Sequence, residues 1–503
     1  MGFDDPFYGY SFAVRTIVYV IVPLFTSWQF VRLRRALHVF QLEGYKRARF
    51  LDWCRTHRAM FLKPATAKKP LVMTGRAWRI LVTATLLSAA LVLLPAAATH
   101  LAAGAPYDLV AWGLTTVLAF FAVPGLLVTA DAVLQPVQGA INSRYKEAAR
   151  RRLSDISPTV VGVTGSFGKT STKFAIRDIA GQPGRAFATP GSYNTPMGIT
   201  RAINEGLQPT HDLIVVEMGA YQRGEIAELC AFVRPTIGVL TAIGPAHLER
   251  FGSIETIRAA KYEIVESLPA DGIAVMNMDD GEVRALADRG ERRTLRYGMD
   301  PSGRPDVTAE EIETTRSGST FSLIVGERRA SVSTRLLGRF AIGHILAGVA
   351  VGQALGRSFE DLAAAIASLE PVKHRLQLIS GRGGVTVIDD AFNSNPQGAA
   401  AALEVLDAMP ASKRVVVTPG IIELGPLQVE ANERFGEAAS EVADVVIVVS
   451  KVNRDALTTG AKKGPADVIV VDTLAEATEK LQGLLDAGAV VLFENDLPDH
   501  YEV

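Results

Sequence analysis

The 503-residue sequence predicts an α/β protein: a P-loop parallel-sheet central domain plus a Rossmann-like C-terminal domain, preceded by transmembrane helices. Three observations predict it. Apolar stretches long enough to cross a bilayer are confined to the region before about residue 135. A glycine-rich turn of phosphate-binding type follows a β-branched run near residue 160. From there β-branched runs alternate with helical segments to the end of the chain, the mark of parallel sheets covered on both faces. The boundaries that follow are a membrane region over 1–150, a central domain over 151–372 and a C-terminal domain over 373–503.

Ile80 to Ala103 and Leu109 to Ala130 contain no charged residue apart from the titratable His100, and each can cross about 30 Å of hydrocarbon as a helix. Pro95, Pro124 and Gly125 would kink these helices without disqualifying them. Thr16 to Val31 is shorter and contains Pro23, with Arg15 and Arg32 placed to snorkel at its ends. Between the first and second stretches the chain is strongly basic, and Arg144, Lys146 and Arg150 to Arg152 follow the third. The turn 104–108 has no Lys or Arg. Positive charge therefore places the N-terminus outside and everything after about residue 135 in the cytoplasm. The basic loop either lies on anionic lipid, with a helix over Leu33 to His57, or is a solvated face. Asp4 and Asp5 stand where a cleaved signal needs basic residues.

These segments explain a mean hydropathy of +0.19, high for a soluble enzyme. The formal net charge of −1 argues against nucleic acid as a partner. Cys54 and Cys230 form neither a disulfide framework nor a metal cluster and suit a reducing compartment.

In the central domain, Val160 to Val163 read as a strand running into Thr164-Gly165-Ser166-Phe167-Gly168-Lys169-Thr170-Ser171, where a helix opens. Glycines let backbone N–H groups curl around an anion, the helix N-terminus adds partial positive charge, and Lys169 supplies a full one. Thr170 or Ser171 then offers a hydroxyl to Mg²⁺. Valine at position 163 breaks the longer loop pattern and leaves the short form T-G-x-x-G-K-[ST]-[ST]. Further strands over Leu213 to Met218, Ile237 to Leu240 and Ile273 to Met276 bring Glu217 and the loop carrying His247 toward the same sheet edge. Lys261 lies on the helix after that loop. Glu217 with Thr170 makes a hard-oxygen pair for Mg²⁺ and His247 a second-site ligand; taken singly, the Glu is a cap or salt-bridge partner and the His structural. Residues 281 to 335 read as a small β-rich appendage with no chemical role.

Thr164 to Thr170, Thr189 to Asn194, Glu217 to Ala220, Gly224 to Ile226, Ala246 to Ser253 and Ala260 to Glu263, in this order, resemble the Mur ligases. These are the ATP-dependent enzymes that build the peptidoglycan stem peptide, and the nearest branch is the one adding D-alanyl-D-alanine. The resemblance runs from about Ser157 to the C-terminus. It implies ATP and Mg²⁺, with Gly165 to Ser171 around the phosphates, Thr170 and Glu217 on one Mg²⁺, and His247 and Lys261 serving a second. Lys261 is then either carbamylated or a plain ammonium facing phosphates. Phe340, Ala341 and His344 stand where the family has a His-Asn pair and a further Asn that seat the nucleotide.

The C-terminal domain has strand candidates over Val385 to Ile388, Arg414 to Thr418, Val445 to Val449, Val468 to Val471 and Val490 to Phe493. His374-Arg375 resembles the family's Gly-Arg, whose arginine clamps the γ-phosphate. Asp389 to Pro396 resembles its strand-end motif, which puts Asp390 at the ribose and has Asn393 and Asn395 shape the site. Asn432 replaces a usual histidine, and Glu494-Asn495-Asp496 stands near where the dipeptide-adding branch has Lys-Gly-Ser.

The reaction implied is amide formation through an acyl phosphate, with Lys169, His247, Lys261 and Arg375 as the catalytic set. Membrane helices occupy the place of the family's UDP-binding domain, so the carboxylate substrate is either a small UDP-linked molecule or lipid-linked, and the amine an amino acid or dipeptide. Two alternatives stand beside this: a capsule-type amide ligase such as one making poly-γ-glutamate, and a degenerate ligase serving as a membrane scaffold for envelope-synthesis enzymes.

Overall fold

The computed structural model describes residues 22–57, 60–63, 70–103, 107–289, 292–315, 317–392, 394–449 and 451–496. The chain divides into two compact units, with the break at Ser143/Arg144.

The first unit is helical: α1 (Val22–Leu42), α2 (Arg47–Thr56), α3 (Gly75–Ala103), α4 (Tyr107–Phe121) and the start of α5 (Val123–Ile156). Leu33, Leu37 and Phe40 of α1 pack with Ile80, Leu81 and Ala84 of α3 and Leu127 of α5. Asp131 is buried beneath Arg47 at 2.8 Å and Arg76 at 2.9 Å, tying α2, α3 and α5 together. The helix α3 is long and apolar enough to cross a membrane. The stretch expected to span over Leu109 to Ala130 is instead broken, with a bend of 77° between Val110–Phe121 and Val123–Ile156. Pro124 has no N–H to continue the hydrogen-bond ladder, so the helix restarts in a new direction there. The first expected stretch lies partly outside the described residues. Its described part does not end at Val31 but runs on through three arginines to Leu42. Arg32 does not snorkel; it is buried and donates to the carbonyls of Met60 and Phe120 at 2.9 and 2.7 Å. The expected helix over Leu33 to His57 is interrupted at Gly44 and Tyr45, both at positive φ.

The second unit carries both sheets. Strands β1 (Thr159–Thr164), β2 (Ala186–Ala188), β3 (Leu213–Glu217), β4 (Ile237–Leu240), β5 (Ile273–Asn277) and β6 (Arg293–Tyr297) pair in parallel in the order β2-β3-β1-β4-β5-β6. Their near-continuous apolar sequences suit strands buried on both faces. The expected appendage is part of this sheet: β7 (Val307–Thr315) joins β6 through Tyr297 and Val307, and β8 (Gly318–Val325) and β9 (Arg328–Thr334) continue it as an antiparallel meander. Of the connecting helices, α6 (Lys169–Ala180), α7 (Pro196–Gly206), α8 (Glu225–Val233), α9 (Leu248–Phe251), α10 (Ile254–Glu266), α11 (Gly281–Arg284), α12 (Gly338–Ala354) and α13 (Phe359–Ile366), the pair α6 and α12 forms the core of one face through Ile176, Ile179, Ile342 and Leu346.

The second sheet runs β10-β11-β15-β12-β13-β14: β10 (Gln377–Ser380) antiparallel to β11 (Thr386–Asp390), the rest, β12 (Arg414–Thr418), β13 (Val445–Val449), β14 (Asp467–Val471) and β15 (Val490–Glu494), parallel. Helices α14 (Pro396–Ala408), α15 (Gln428–Val442) and α16 (Arg454–Ala461) share one core and α17 (Leu474–Leu484) lies in another. The last strand inserts between β11 and β12, so the final residues of the sheet sit beside its first parallel strand.

Candidate active site

The phosphate loop joins β1 to α6 and is held from behind. Ser166 N donates to Ala242 O at 2.8 Å, Ser166 Oγ to Gly244 O at 3.0 Å, and Thr241 Oγ1 to Phe167 O at 2.6 Å. Gly165 has φ +155°, and a Cβ there would lie 2.0 Å from Thr241 Oγ1. Gly168 caps α6 at φ +78°, and a Cβ there would lie 2.8 Å from His344 Cε1. That ring is therefore the floor of the loop. His344 is hydrogen-bonded to Thr172 Oγ1 at 2.9 Å and is kept neutral by burial and then by Arg375, which lower it to about 4. Phe340 and Phe167 pair as rings 6.3 Å apart beside it.

Lys169 folds back and donates to Gly165 O at 2.7 Å and Ser166 O at 3.0 Å. Burial lowers its ammonium to about 8, against Glu217, which raises it, and with Arg375, which lowers it. A phosphate reaching the loop can offer this cation the charge that two carbonyl oxygens do not. Ser171 follows one residue beyond Thr170, and it is Thr170 that meets the strand-end carboxylate, donating to Glu217 Oε2 at 2.9 Å. Glu217, at the tip of β3, also accepts from Asn194 Nδ2 at 3.0 Å and from Lys173 Nζ at 3.1 Å. A hydroxyl and a carboxylate held together at the mouth of a phosphate loop are hard oxygen donors of the kind Mg²⁺ takes, with room for phosphate oxygens and water to complete its shell. Among the described residues no cluster of three or more His, Cys, Asp or Glu side chains makes a preformed metal cage. Lys173 was not expected at the site. Its place four residues after Lys169, on the same face of α6, was the available signal.

Lys261 is buried on α10, with Nζ 3.4 Å from Ala220 O. Burial and then the charge of Lys169 lower its ammonium to about 7, which leaves a substantial neutral-amine fraction near neutral pH. His247 holds positive φ, +58°, ahead of α9. Its Nδ1 meets Glu423 Oε2, and Arg250 donates to Glu423 Oε1 at 2.9 Å. Glu423 follows β12, so this cluster latches the C-terminal domain to the central one.

Arg375 comes from the segment entering the C-terminal domain. It lies over the Phe392 ring at 4.6 Å, and its guanidinium is lowered by burial while Asp390, Glu217 and Glu494 oppose that. It thus joins the phosphate-loop group to the tips of β11 and β15. His374 has φ +59°, the conformation that explains glycine as the family's residue there, and is held by Asp389 Oδ2 at 2.7 Å. Asp390 is nearly buried and accepts from Leu376 N at 3.1 Å. Asn395 caps α14 by accepting from Gly398 N at 3.0 Å; Asn393 lies outside the described residues. Asn432 is fully buried and bonds Ile421 N and O, each at 2.8 Å, a structural role.

The chain matches the Mur ligase middle domain over residues 163–352 and the Mur ligase, glutamate ligase domain over 374–494. It is 34% identical over 317 residues to the UDP-N-acetylmuramoyl-tripeptide–D-alanyl-D-alanine ligase of Mycobacterium bovis, covering 60% of this chain and 62% of that one. It is 34% identical over 309 residues to the Escherichia coli protein of the same name, covering 61% and 68%. Among solved structures it superposes on MurF ligase from Thermotoga maritima in complex with ADP at a TM-score of 0.63 and 29% identity, covering 71% of this chain and 80% of that one. MurF from Acinetobacter baumannii gives 0.63 and 27%, covering 70% and 77%. The chain spans 62% of the length of the mycobacterial relative. It belongs to the Mur ligase family and within it is similar to the MurF branch.

Proposed function

We propose that this chain is an ATP-dependent, ADP-forming acid–amine ligase of cell-envelope synthesis that joins D-alanyl-D-alanine, or a related amine, to a muramyl tripeptide. The observation that carries the reading is the convergence of Lys169, the Thr170–Glu217 pair and Arg375 from the following domain on one loop. Backbone N–H groups of 165–171 and Lys169 hold the ATP phosphates. Thr170 and Glu217 hold Mg²⁺, whose contribution is to neutralise charge on the phosphates. His247 and Lys261 serve a second metal; a buried lysine lowered to about 7 is suited to carbamylation, which would turn it into a carboxylate ligand. The substrate carboxylate attacks the γ-phosphate to give an acyl phosphate and ADP, and the amine then displaces phosphate. Positioning and charge neutralisation by Lys169 and Arg375 carry most of the catalysis, and the His247–Glu423–Arg250 latch keeps water out while the acyl phosphate exists.

We place residues 1–150 in a membrane region ahead of the catalytic domains over 151–372 and 373–503, which then face the cytoplasm. The support is apolar surface left uncovered: Leu86, Leu94 and Leu101 of α3 and Val110, Leu114, Val117 and Phe121 of α4 are all exposed. So much contiguous apolar surface marks a membrane contact. A carboxylate substrate held on a lipid follows from that placement. Flotation with anionic vesicles tests it: the full chain should float, and a detergent-free monodisperse protein that stays at the bottom would refute it. Assay of ADP release with UDP-linked and lipid-linked muramyl tripeptides tests the activity; inactivity on both defeats the ligase reading.

A further inference from the structure

The insertion of β15 between β11 and β12 puts Glu494 in register with Asp390 at the strand tips. Glu494 is fully buried; its Oε1 accepts from Ser394 Oγ at 2.5 Å, and no hydrogen-bond donor in the protein reaches its Oε2. Its carboxyl faces that of Asp390 within hydrogen-bond reach. Other charges near the pair are Arg375, which Glu217 also attracts, and Asp389, which His374 holds. Two carboxyls against one shared guanidinium in a dry site cannot both ionise. Burial and then Asp390 push Glu494 well above the ordinary carboxylate range, and burial lifts Asp390 to about 6 despite Arg375. One proton is thus held between them, leaving acceptor oxygens in a buried site next to the γ-phosphate clamp.

We propose that Asp390 and Glu494 form the subsite for the ammonium group of the incoming amine and that Asp390 takes the proton this amine must lose before it attacks. This rests on the ligase reading and gives Asp390 a role on the acceptor side rather than at the ribose. The amine arrives as an ammonium ion and cannot attack until one N–H proton moves to Asp390. The freed lone pair then forms the C–N bond, the C–O bond to phosphate breaks with its electrons leaving on phosphate, and the second N–H proton departs with that phosphate. Glu494 is the partner that lets Asp390 accept a proton near neutral pH, as a general base must.

Glu494→Gln in the full-length protein tests this, because an amide cannot share the proton. The substrates are ATP, UDP-linked and lipid-linked muramyl tripeptides, and either D-alanyl-D-alanine or hydroxylamine, which is largely unprotonated at neutral pH. The proposal expects dipeptide ligation to fall about 100-fold, within the range of a lost general base. Hydroxamate formation should stay within about threefold of wild type, and the acidic limb of the dipeptide pH profile should disappear with the substitution. Equal loss with both amines, or undiminished ligation, overturns the assignment. A wild type that forms no hydroxamate overturns the ligase reading, and the amine subsite with it.

Discussion

Lys173 gives the sharpest stability prediction. Its side chain and that of Glu217 are 0% and 1% exposed, 3.1 Å apart, and Lys173 also donates to Gly191 O. Lys173→Met removes the cation and leaves the carboxylate buried. Breaking a buried pair from one side costs about 3–5 kcal/mol, and because Thr170 and Asn194 still donate to Glu217 the lower end applies. For a domain of this size that is a fall of about 6–12 °C in melting temperature. Adding Glu217→Gln to the variant removes the stranded charge, so the double variant should recover to within about 1 kcal/mol of wild type while remaining inactive. Mg²⁺ should raise the stability of Lys173→Met more than that of wild type, since the cation meets an uncompensated carboxylate. The assay is urea denaturation followed by tryptophan-independent circular dichroism, with and without Mg²⁺. A single variant within about 0.5 kcal/mol of wild type, or a double variant no better than the single, would refute the reasoning.

Lys261 should shape stability against pH. Its ammonium is lowered from 10.5 to about 7, so between those values the unfolded chain binds more protons than the folded one and stability rises with pH. Lys261→Met should flatten that rise, read as urea midpoints at pH 7 and 9. Glu423→Ala releases His247 and Arg250 together, both only partly buried, so we expect under about 1–2 kcal/mol of stability loss but about tenfold slower ligation with increased hydrolysis of the acyl phosphate. An ATPase rate uncoupled from product formation would be the signature; tight coupling in the variant would remove the latch from the mechanism.

The parts legible in the sequence were those set by local chemistry. The β1–loop–α6 unit, Glu217 at a strand tip and the main strands of the second sheet all follow from short contiguous patterns. The short edge strands β2 and β10 and the pairing of β6 with β7 did not, because partner strands stabilise them more than their own residues do. Nor could the sequence pair His247 with Glu423, 176 residues away, or Asp390 with Glu494, which meet only because the last strand inserts beside β11. Length and hydropathy marked Leu109 to Ala130 as one span, but the bend is set at Pro124 and by where Arg32 finds its carbonyl acceptors.

The central claim is that the loop at Lys169 activates a carboxylate for attack by an amine. The direct measurement is hydroxamate and ADP formation by the full-length protein and by Lys169→Ala, with ATP, Mg²⁺, hydroxylamine and UDP-linked or lipid-linked muramyl tripeptide. Wild type should form hydroxamate and ADP in equal amounts only when the tripeptide is present, and the variant should lose both by at least about 100-fold. No tripeptide-dependent hydroxamate from wild type, or equal amounts from the variant, would contradict the account.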